Sequence, residues 1–359
     1  MLIEIENKVK EYSDKEYAFI TGNGTSAIYL SLKASSIPKG SKIAVTNISC
    51  PDPVYALIWA GYTPIFIDIN IEDYNMDLYS LEVALKQDSD IKAVIAIHLF
   101  GNSCDIVSIS KLSKKYKCFL IEDCAQSFGN EIEEGMLGSF GDVSIFSFGN
   151  GKIIEAGHGG SVQTNSKELI DNIRDEYKKL NSYKYEKIEK LSKIHRYIYY
   201  KLYYVGQKYS RLNILNLIYI YFFKSYYLYR LDKKSLNSIK SEIDSFEDNK
   251  IARILKIDRY SKSLEKDVEL PTFHNRENIL SRLTVYIDDA EDISKKIRDN
   301  NIPSNTMYPM LIDRFKLFFN KSDYINSYKL KGKLLNLWLN SISKEDLSLT
   351  IKIIKDRNG

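Results

Sequence analysis

The stretch Ser147-Phe148-Gly149-Asn150-Gly151-Lys152, continued by Ile153-Ile154-Glu155-Ala156-Gly157-His158-Gly159-Gly160, decides how the rest of the chain is read. A β-rich run over 143–148 stops at small residues, one lysine follows in a glycine-bounded loop, and a second strand over 161–164 leaves it. A strand end has no need of a strongly hydrated point charge. A lysine held between two strands by Gly149, Gly151, Gly157, Gly159 and Gly160 therefore invites a chemical reading, such as a Schiff base to a carbonyl cofactor. The plain alternative is a surface lysine in a connecting loop, and a single motif does not separate the two. What separates them is whether other residues converge on Lys152.

Working outward toward the N-terminus, strands and helices alternate. Residues 118–123 form an apolar strand ending in Asp123, an acid that is costly to bury without a cationic partner. Its alternative role is as N-cap of a helix starting near Ala125. Residues 91–101 are a nearly all-apolar strand containing His98. Strands are also expected over 63–69 and 42–48, and helices over 107–116, 77–86 and 53–60, the last ended by Gly61. Residues 18–27 read as a strand feeding the turn Gly24-Thr25-Ser26, with a helix continuing over 28–34. Free amides at such a helix start, with the Thr25 and Ser26 hydroxyls, suit a phosphate; a plain helix cap is the alternative. Continuous apolar strands alternating with amphipathic helices predict an α/β fold with a largely parallel sheet covered on both faces. Ligands in such sheets collect at the carboxyl ends of the strands. The segments 23–26, 47–50, 123–126 and 147–152 all fall there.

Composition sets the outer limits. The chain has 359 residues, 44% hydrophobic and 27% charged, which predicts one large and one smaller domain. Its 51 basic and 47 acidic side chains leave a formal net charge of +4, too balanced to suggest a nucleic-acid binder. Cys50, Cys104, Cys118 and Cys124 form no CxxC pair and no zinc-type spacing, so no metal site and a reducing cytoplasm are expected. The first residues lack the basic and long apolar regions of a signal peptide. Toward the C-terminus, 166–180 reads as a helix, and 181–239 is dense in Tyr, Lys, Ile and Leu. The apolar run 214–223 is too short to span a bilayer. This segment reads either as helices packed on protein or, through 197–229, as a peripheral membrane contact. Residues 233–248 look polar and linker-like. From 251 onward a smaller α/β unit is expected, with strands over 283–287 and 334–339, an extended segment over 302–309, and helices over 290–300 and 344–356. The predicted division is 1–180 (large domain), 181–250 (Tyr/Lys-rich helical insertion) and 251–359 (small C-terminal α/β domain).

Several motifs in one order carry a family resemblance. They are Gly24-Thr25-Ser26-Ala27, Asp68, His98-Leu99-Phe100-Gly101, Ile121-Glu122-Asp123-Cys124-Ala125-Gln126, Gly138-Ser139-Phe140-Gly141-Asp142, Ser147-Phe148, Lys152 and Gly157-His158-Gly159-Gly160, with weaker signatures at Tyr308-Pro309 and Leu335-Asn336-Leu337-Trp338. On these the sequence resembles the DegT/DnrJ/EryC1/StrS family of pyridoxal-phosphate-dependent sugar aminotransferases, most strongly over about 15–170. The resemblance implies a fold-type-I enzyme, usually a homodimer, with pyridoxal 5'-phosphate as cofactor. It implies Lys152 as the catalytic residue bonded to the cofactor, Asp123 at the pyridine nitrogen, and Gln126 near the phenolic oxygen. Gly24, Thr25, Ser26 and Ser147 would hold the phosphate. The implied reaction moves an amino group from an amino acid, by family habit glutamate, to a keto- or aldehydo-sugar in polysaccharide or amino-sugar assembly.

Some positions depart from the family pattern. Ser49-Cys50 stands where an aromatic residue often covers the cofactor ring. His158 stands where an acid is commoner and reads either as a solvated loop residue or as a substrate contact; Tyr308 is a further candidate substrate contact. The family's asparagine motif is not recognisable within 181–239. The departures all lie on the substrate side, which predicts a retained cofactor and an acceptor that need not be a standard nucleotide-linked sugar. A sugar dehydratase of the same fold would tend to carry histidine in place of Lys152, and a non-catalytic scaffold would have no packing reason for Lys152 with Asp123.

Overall fold

The strands alternate their apolar side chains between two faces so regularly that the sheet must be covered on both. The computed structural model describes residues 1–208, 219–273, 275, 277–306, 311, 315, 324–340 and 342–358, without the side chains of 196, 199–208 and 358. The strands of its first part are β1 (Tyr17–Thr21), β2 (Lys42–Thr46), β3 (Thr63–Ile67), β4 (Ile91–Ile97), β5 (Phe119–Asp123), the short hairpin β6 (Glu131–Ile132) and β7 (Gly135–Met136), β8 (Val143–Ser147) and β9 (Gly160–Thr164). All but the hairpin form one seven-stranded sheet in the order β1-β9-β8-β5-β4-β2-β3. Neighbours from β3 to β8 pair in parallel. Only β9 runs against the rest, pairing antiparallel to both β8 and β1.

Alternation sorts the core. Val45, Ile95, Ile121 and Ile145 enter one cluster, with residues of α2 (Gly24–Ala34), α3 (Asp52–Ala60) and α6 (Lys167–Lys178). Ala44, Val94, Leu120 and Phe146, one residue on or back, enter a second with α1 (Leu2–Glu11), α4 (Leu78–Gln87) and α5 (Ile106–Lys115). Side-chain caps start α4 and α5, where Asp77 accepts from Ser80 N–H at 2.7 Å and Asp105 from Ser108 N–H at 3.1 Å. The strand expected to reach 101 ends at Ile97. Phe100 and Gly101 then turn the chain at φ of 61° and 96°. A Cβ on Gly101 would lie 2.7 Å from Gln126 O and 2.9 Å from Ile279 O, so glycine is required at this crowded corner.

The Tyr-rich segment packs on α3 where it is described. Tyr219, Ile220, Phe223 and Tyr227 are buried, and Trp59 Nε1 donates to Ile220 O at 3.1 Å. Tyr221 and Phe222 point outward, 63% and 71% exposed. Residues 214–218 of the apolar run lie outside the described residues. Among the described residues no helix is long and apolar enough to cross a membrane. The segment also contributes β11 (Tyr229–Arg230), parallel to β10 (Asn181–Ser182).

The stretch 233–248 is not a linker. It forms the helix Lys233–Asp244, capped by Asp232, and the start of the helix Phe246–Leu264. Its polar texture conceals a narrow stripe, Ile239, Ile243 and Phe246, that packs with Ile5, Val9 and Phe128 in the second core cluster. A boundary between 250 and 251 would therefore cut a continuous helix.

The smaller unit has a three-stranded sheet, β12 (Arg282–Tyr286), β13 (Ser304–Asn305) and β14 (Leu334–Trp338), in the order β12-β14-β13 and antiparallel throughout. The helices Ala290–Asp299 and Lys344–Lys355 share its own core cluster. Asn130 ties this unit to the large sheet: its Nδ2 donates to Gly101 O and Ile279 O at 3.0 and 2.9 Å, and its Oδ1 accepts from Ile279 N–H at 2.9 Å. Asp68, at the end of β3, accepts from Asn326 N–H and from both the N–H and hydroxyl of Ser327. The small unit is thus anchored on the carboxyl edge of the large sheet.

Candidate active site

Six co-directional strands bring their carboxyl ends to one edge, and the chemistry-bearing residues collect there. At the end of β1 the chain turns into α2. Asn23 caps this helix: its Oδ1 accepts from Ser26 N–H at 2.8 Å, and Ser26 Oγ returns the contact by accepting from Asn23 N–H at 3.0 Å. Ser26 is therefore spent inside the turn. Its hydroxyl, expected from the sequence to face a phosphate, donates instead to Asn23 O at 2.8 Å. The capping box leaves the first amides of α2 and the Thr25 hydroxyl for an anion.

Ser147 closes this cradle. In register, Gly160 pairs with Thr21 on one side and Ser147 on the other. A Cβ on Gly24 would sit 3.0 Å from Ser147 Cβ, and one on Gly160 would sit 2.5 Å from Asn23 C and 2.6 Å from Gly24 N. Gly160→Ala is therefore expected to push the turn off its seat. It should weaken phosphate-ester binding about tenfold or more, by analogy with overpacking. An absorbance titration with pyridoxal phosphate measures this, and affinity within twofold of the parent chain would refute it.

Lys152 hangs from the loop between β8 and β9. The loop is held by its own backbone, Lys152 N–H to Gly149 O at 3.3 Å and Phe148 N–H to Gly159 O at 2.9 Å. The small unit holds it as well: Asn340 Nδ2 donates to Lys152 O at 3.1 Å and to the Glu155 carboxylate, which also accepts from Gly151 N–H at 2.8 Å. Lys152 is half-buried. Its ammonium is pushed below the usual lysine range by burial, with Arg282 adding repulsion, against the attraction of Cys50, Asp123 and Asp52.

Asp123 ends β5, paired with Ile97 and with Ile145, two residues before Ser147 on the next strand. It is buried and accepts from Ala125 N–H at 3.0 Å. Burial raises its carboxyl above the ordinary range, opposed by Ala125 N–H, Lys152 and His98. Gln126, just beyond, is buried, and its Oε1 accepts from Ser281 Oγ at 3.1 Å. That contact fixes the start of β12 relative to the site.

Strand alternation turns Glu122 to the opposite face from Asp123. It is fully buried and ringed by donors: Gly138 N–H at 2.6 Å, Phe140 and Gly141 N–H at 2.9 Å each, and His98 Nε2 at 3.1 Å. His98 Nδ1 accepts from Cys104 N–H at 3.2 Å, which assigns the ring proton to Nε2. With Cys124, these two place ligand-type atoms within 4.8 Å of one another. The ring and carboxylate are already occupied by hydrogen bonds.

His158 is not a free loop residue. It is half-buried, with Nδ1 3.4 Å from Tyr229 OH and its ring edge-on to Tyr185 at 5.3 Å, and burial depresses its pKa. It fastens the glycine loop to the Tyr-rich segment. Tyr308, the other candidate substrate contact, lies outside the described residues. Sequence reasoning missed Asp52, Tyr227 and Arg282. Tyr227 OH donates to Asp52 Oδ1 at 3.1 Å and lies 2.9 Å from His195 Nε2, while Asn23 Nδ2 donates to Tyr227 O at 2.8 Å. The Tyr-rich segment thereby borders the site at both Asp52 and the α2 turn. No local signal announces this, since the partners lie 175 and 204 residues apart.

A doubly covered, mainly parallel sheet with a lysine loop, a strand-end acid and an anion-type helix start on one edge defines the fold-type-I aminotransferase class. A crystal structure of a DegT DnrJ EryC1 StrS aminotransferase from Brucella abortus has the same fold, with a TM-score of 0.80 at 23% identity over 99% of this chain and 90% of that one. The chain belongs to the DegT/DnrJ/EryC1/StrS aminotransferase family, whose model matches residues 2–347. Among curated relatives, GDP-perosamine synthase of Escherichia coli O157:H7 is 38% identical over 168 residues, covering 47% of this chain and 46% of that protein. The dTDP-3-amino-3,6-dideoxy-alpha-D-galactopyranose transaminase of Aneurinibacillus thermoaerophilus is 33% identical over 171 residues, 47% of this chain and 46% of that one. The matched stretch thus spans just under half the length of these relatives.

Proposed function

We propose that the protein is a pyridoxal-phosphate-dependent aminotransferase that moves an amino group from an amino acid, glutamate in the first instance, to a keto- or aldehydo-sugar used in polysaccharide or amino-sugar assembly. The observation that carries this is the meeting of Lys152, Asp123 and the Thr25–Ser147 cradle on neighbouring strand ends. The names of the relatives, a perosamine synthase and an amino-sugar transaminase, support the sugar acceptor.

The residues fit the cofactor. A phosphate suits the amides of Gly24 and Thr25 with the Thr25 and Ser147 hydroxyls, where glycine at 24 keeps the approach open. Asp123, buried and held above its ordinary pKa, gains from a cationic N–H placed against it. Gln126 keeps its amide donor for a ring oxygen. Pyridoxal phosphate supplies, when bound, an aldehyde carbon for amines and a ring that takes up electrons. Lys152, with its pKa lowered, has a larger neutral fraction at working pH, so Nζ would condense with that aldehyde carbon with loss of water and, when displaced by an incoming amine, would carry a proton away from the donor's α-carbon and return one to the sugar carbon. Glu155 and Asn340 keep the lysine loop in register while this happens. The same reading carries a homodimer in the cytoplasm, which sedimentation and cell fractionation test.

Incubation with pyridoxal phosphate followed by borohydride should leave a stable adduct on Lys152, located by peptide mass spectrometry. Glutamate added first should abolish the trapped species. Absence of any adduct on Lys152 overturns the reading.

A further inference from the structure

A second cation, Arg282, stands against Gly151, the residue before Lys152. Arg282 begins β12 and is the direct cross-strand partner of Trp338 on β14. Its guanidinium lies 4.6 Å from the centre of the Trp338 ring, a cation–π contact that holds the planar group in one orientation. The pair is pressed onto the residue before the lysine. A Cβ on Gly151 would meet Trp338 at 3.1 and 3.2 Å and an Arg282 terminal nitrogen at 3.3 Å, and Gly151 itself has a φ of +73°. Glycine at 151 is thus what lets the guanidinium reach the lysine loop. The neighbouring Ser281 is bonded to Gln126, so the strand carrying Arg282 is fixed to the same site. The phosphate cradle, by contrast, is built from α2, Ser147 and Gly160.

We propose that Arg282, seated on Trp338, is a substrate-recognition residue that binds an oxyanion of the substrate next to Lys152. It deepens the reading above and rests on it. A rigid fork of N–H donors matches a carboxylate or a phosphate oxygen pair, whereas a lysine there would offer only a point charge. Two sources can supply that group: the carboxylate of the amino donor, or the diphosphate of a nucleotide-linked acceptor.

The test uses the pyridoxal-phosphate-loaded chain with Arg282→Gln and Arg282→Lys, titrated calorimetrically with glutarate and, separately, with guanosine, uridine and thymidine diphosphates. A charged hydrogen-bond pair predicts a loss of about ten- to a hundredfold in affinity for R282Q and partial recovery in R282K. Loss confined to glutarate assigns the donor carboxylate, and loss confined to a nucleoside diphosphate assigns the acceptor; either supports the subsite. The Lys152 adduct and the melting temperature should stay near those of the parent, and if R282Q does not fold, R282K carries the comparison. Binding of every probe within twofold of the parent, or no binding of any probe by the parent itself, overturns this proposal while the aminotransferase reading stands. Failure to trap any adduct on Lys152 in the unsubstituted chain overturns both.

Discussion

Lys152→Ala is expected to lower transamination at least about ten-thousandfold and to abolish the borohydride-trapped adduct, because one side chain is asked both to bond the cofactor and to carry the proton. Phosphate binding at the α2 turn should survive, since Thr25 and Ser147 lie on other elements. Added methylamine should restore part of the rate by replacing the lost amine. Stability should move the other way. The folded-state pKa of Lys152 lies below its ordinary value of 10.5, so the unfolded chain holds that proton more tightly. Burying the ammonium is therefore destabilising below that ordinary value, and the penalty eases as pH rises. Lys152→Met, which keeps the bulk and drops the charge, should melt no lower than the unsubstituted apoprotein at pH 7. Calorimetry and a coupled glutamate assay check both halves, and a K152A variant within tenfold of parent turnover would remove the lysine from the chemistry.

Which features the sequence made legible follows from the range over which each acts. Strands β2 to β5 announce themselves because each is a short continuous apolar run followed by a helix with its own cap, and a parallel sheet demands that pattern. Lys152 and Asp123 stand out against it, as charges where the periodicity asks for none. The place of β9 between β8 and β1 is invisible locally, because it takes antiparallel pairing not only with β8 just before it but with β1 some 140 residues earlier, as in Thr21 with Gly160. The helices over 233–264 were masked by a narrow apolar stripe that finds its partners in α1. At the site, the Gly24-Thr25-Ser26 turn could be read as a phosphate cradle or a helix cap, and both readings hold in part: Asn23 and Ser26 make the cap, and Thr25 is left over. Arg282, Asn340 and Tyr227 reach the lysine and Asp52 from units more than a hundred residues away. Nothing in their local sequence distinguishes them from other polar and aromatic residues in a chain rich in both.

Glu122→Gln should be the most damaging substitution for stability, costing about 3–5 kcal/mol and lowering the melting temperature by about 5–10 °C. The carboxylate accepts from three backbone amides and from His98 in a fully buried setting. A glutamine there keeps one acceptor oxygen and turns an NH2 toward amide donors that have no other use for it, leaving buried N–H groups unpaired. Burial alone would raise the Glu122 pKa, but His98 and the amides of Gly138 and Gly141 outweigh it and hold the carboxyl below its ordinary value of 4.5. The sign follows: the folded state binds this proton more weakly than the unfolded chain, so the stabilisation is complete above the ordinary value and is lost as pH falls through the folded one. Acid denaturation of the parent chain should therefore show a component that E122Q lacks, and the gap between the two stability curves should narrow as pH falls through the lowered folded-state value. Urea titrations across that range measure it. Because Glu122 is the residue before Asp123, the same ring of donors fixes the strand end that presents Asp123, so loss of stability in E122Q should come with weaker pyridoxal phosphate binding. Parallel acid curves for the two chains would show that Glu122 is not ionised in the fold.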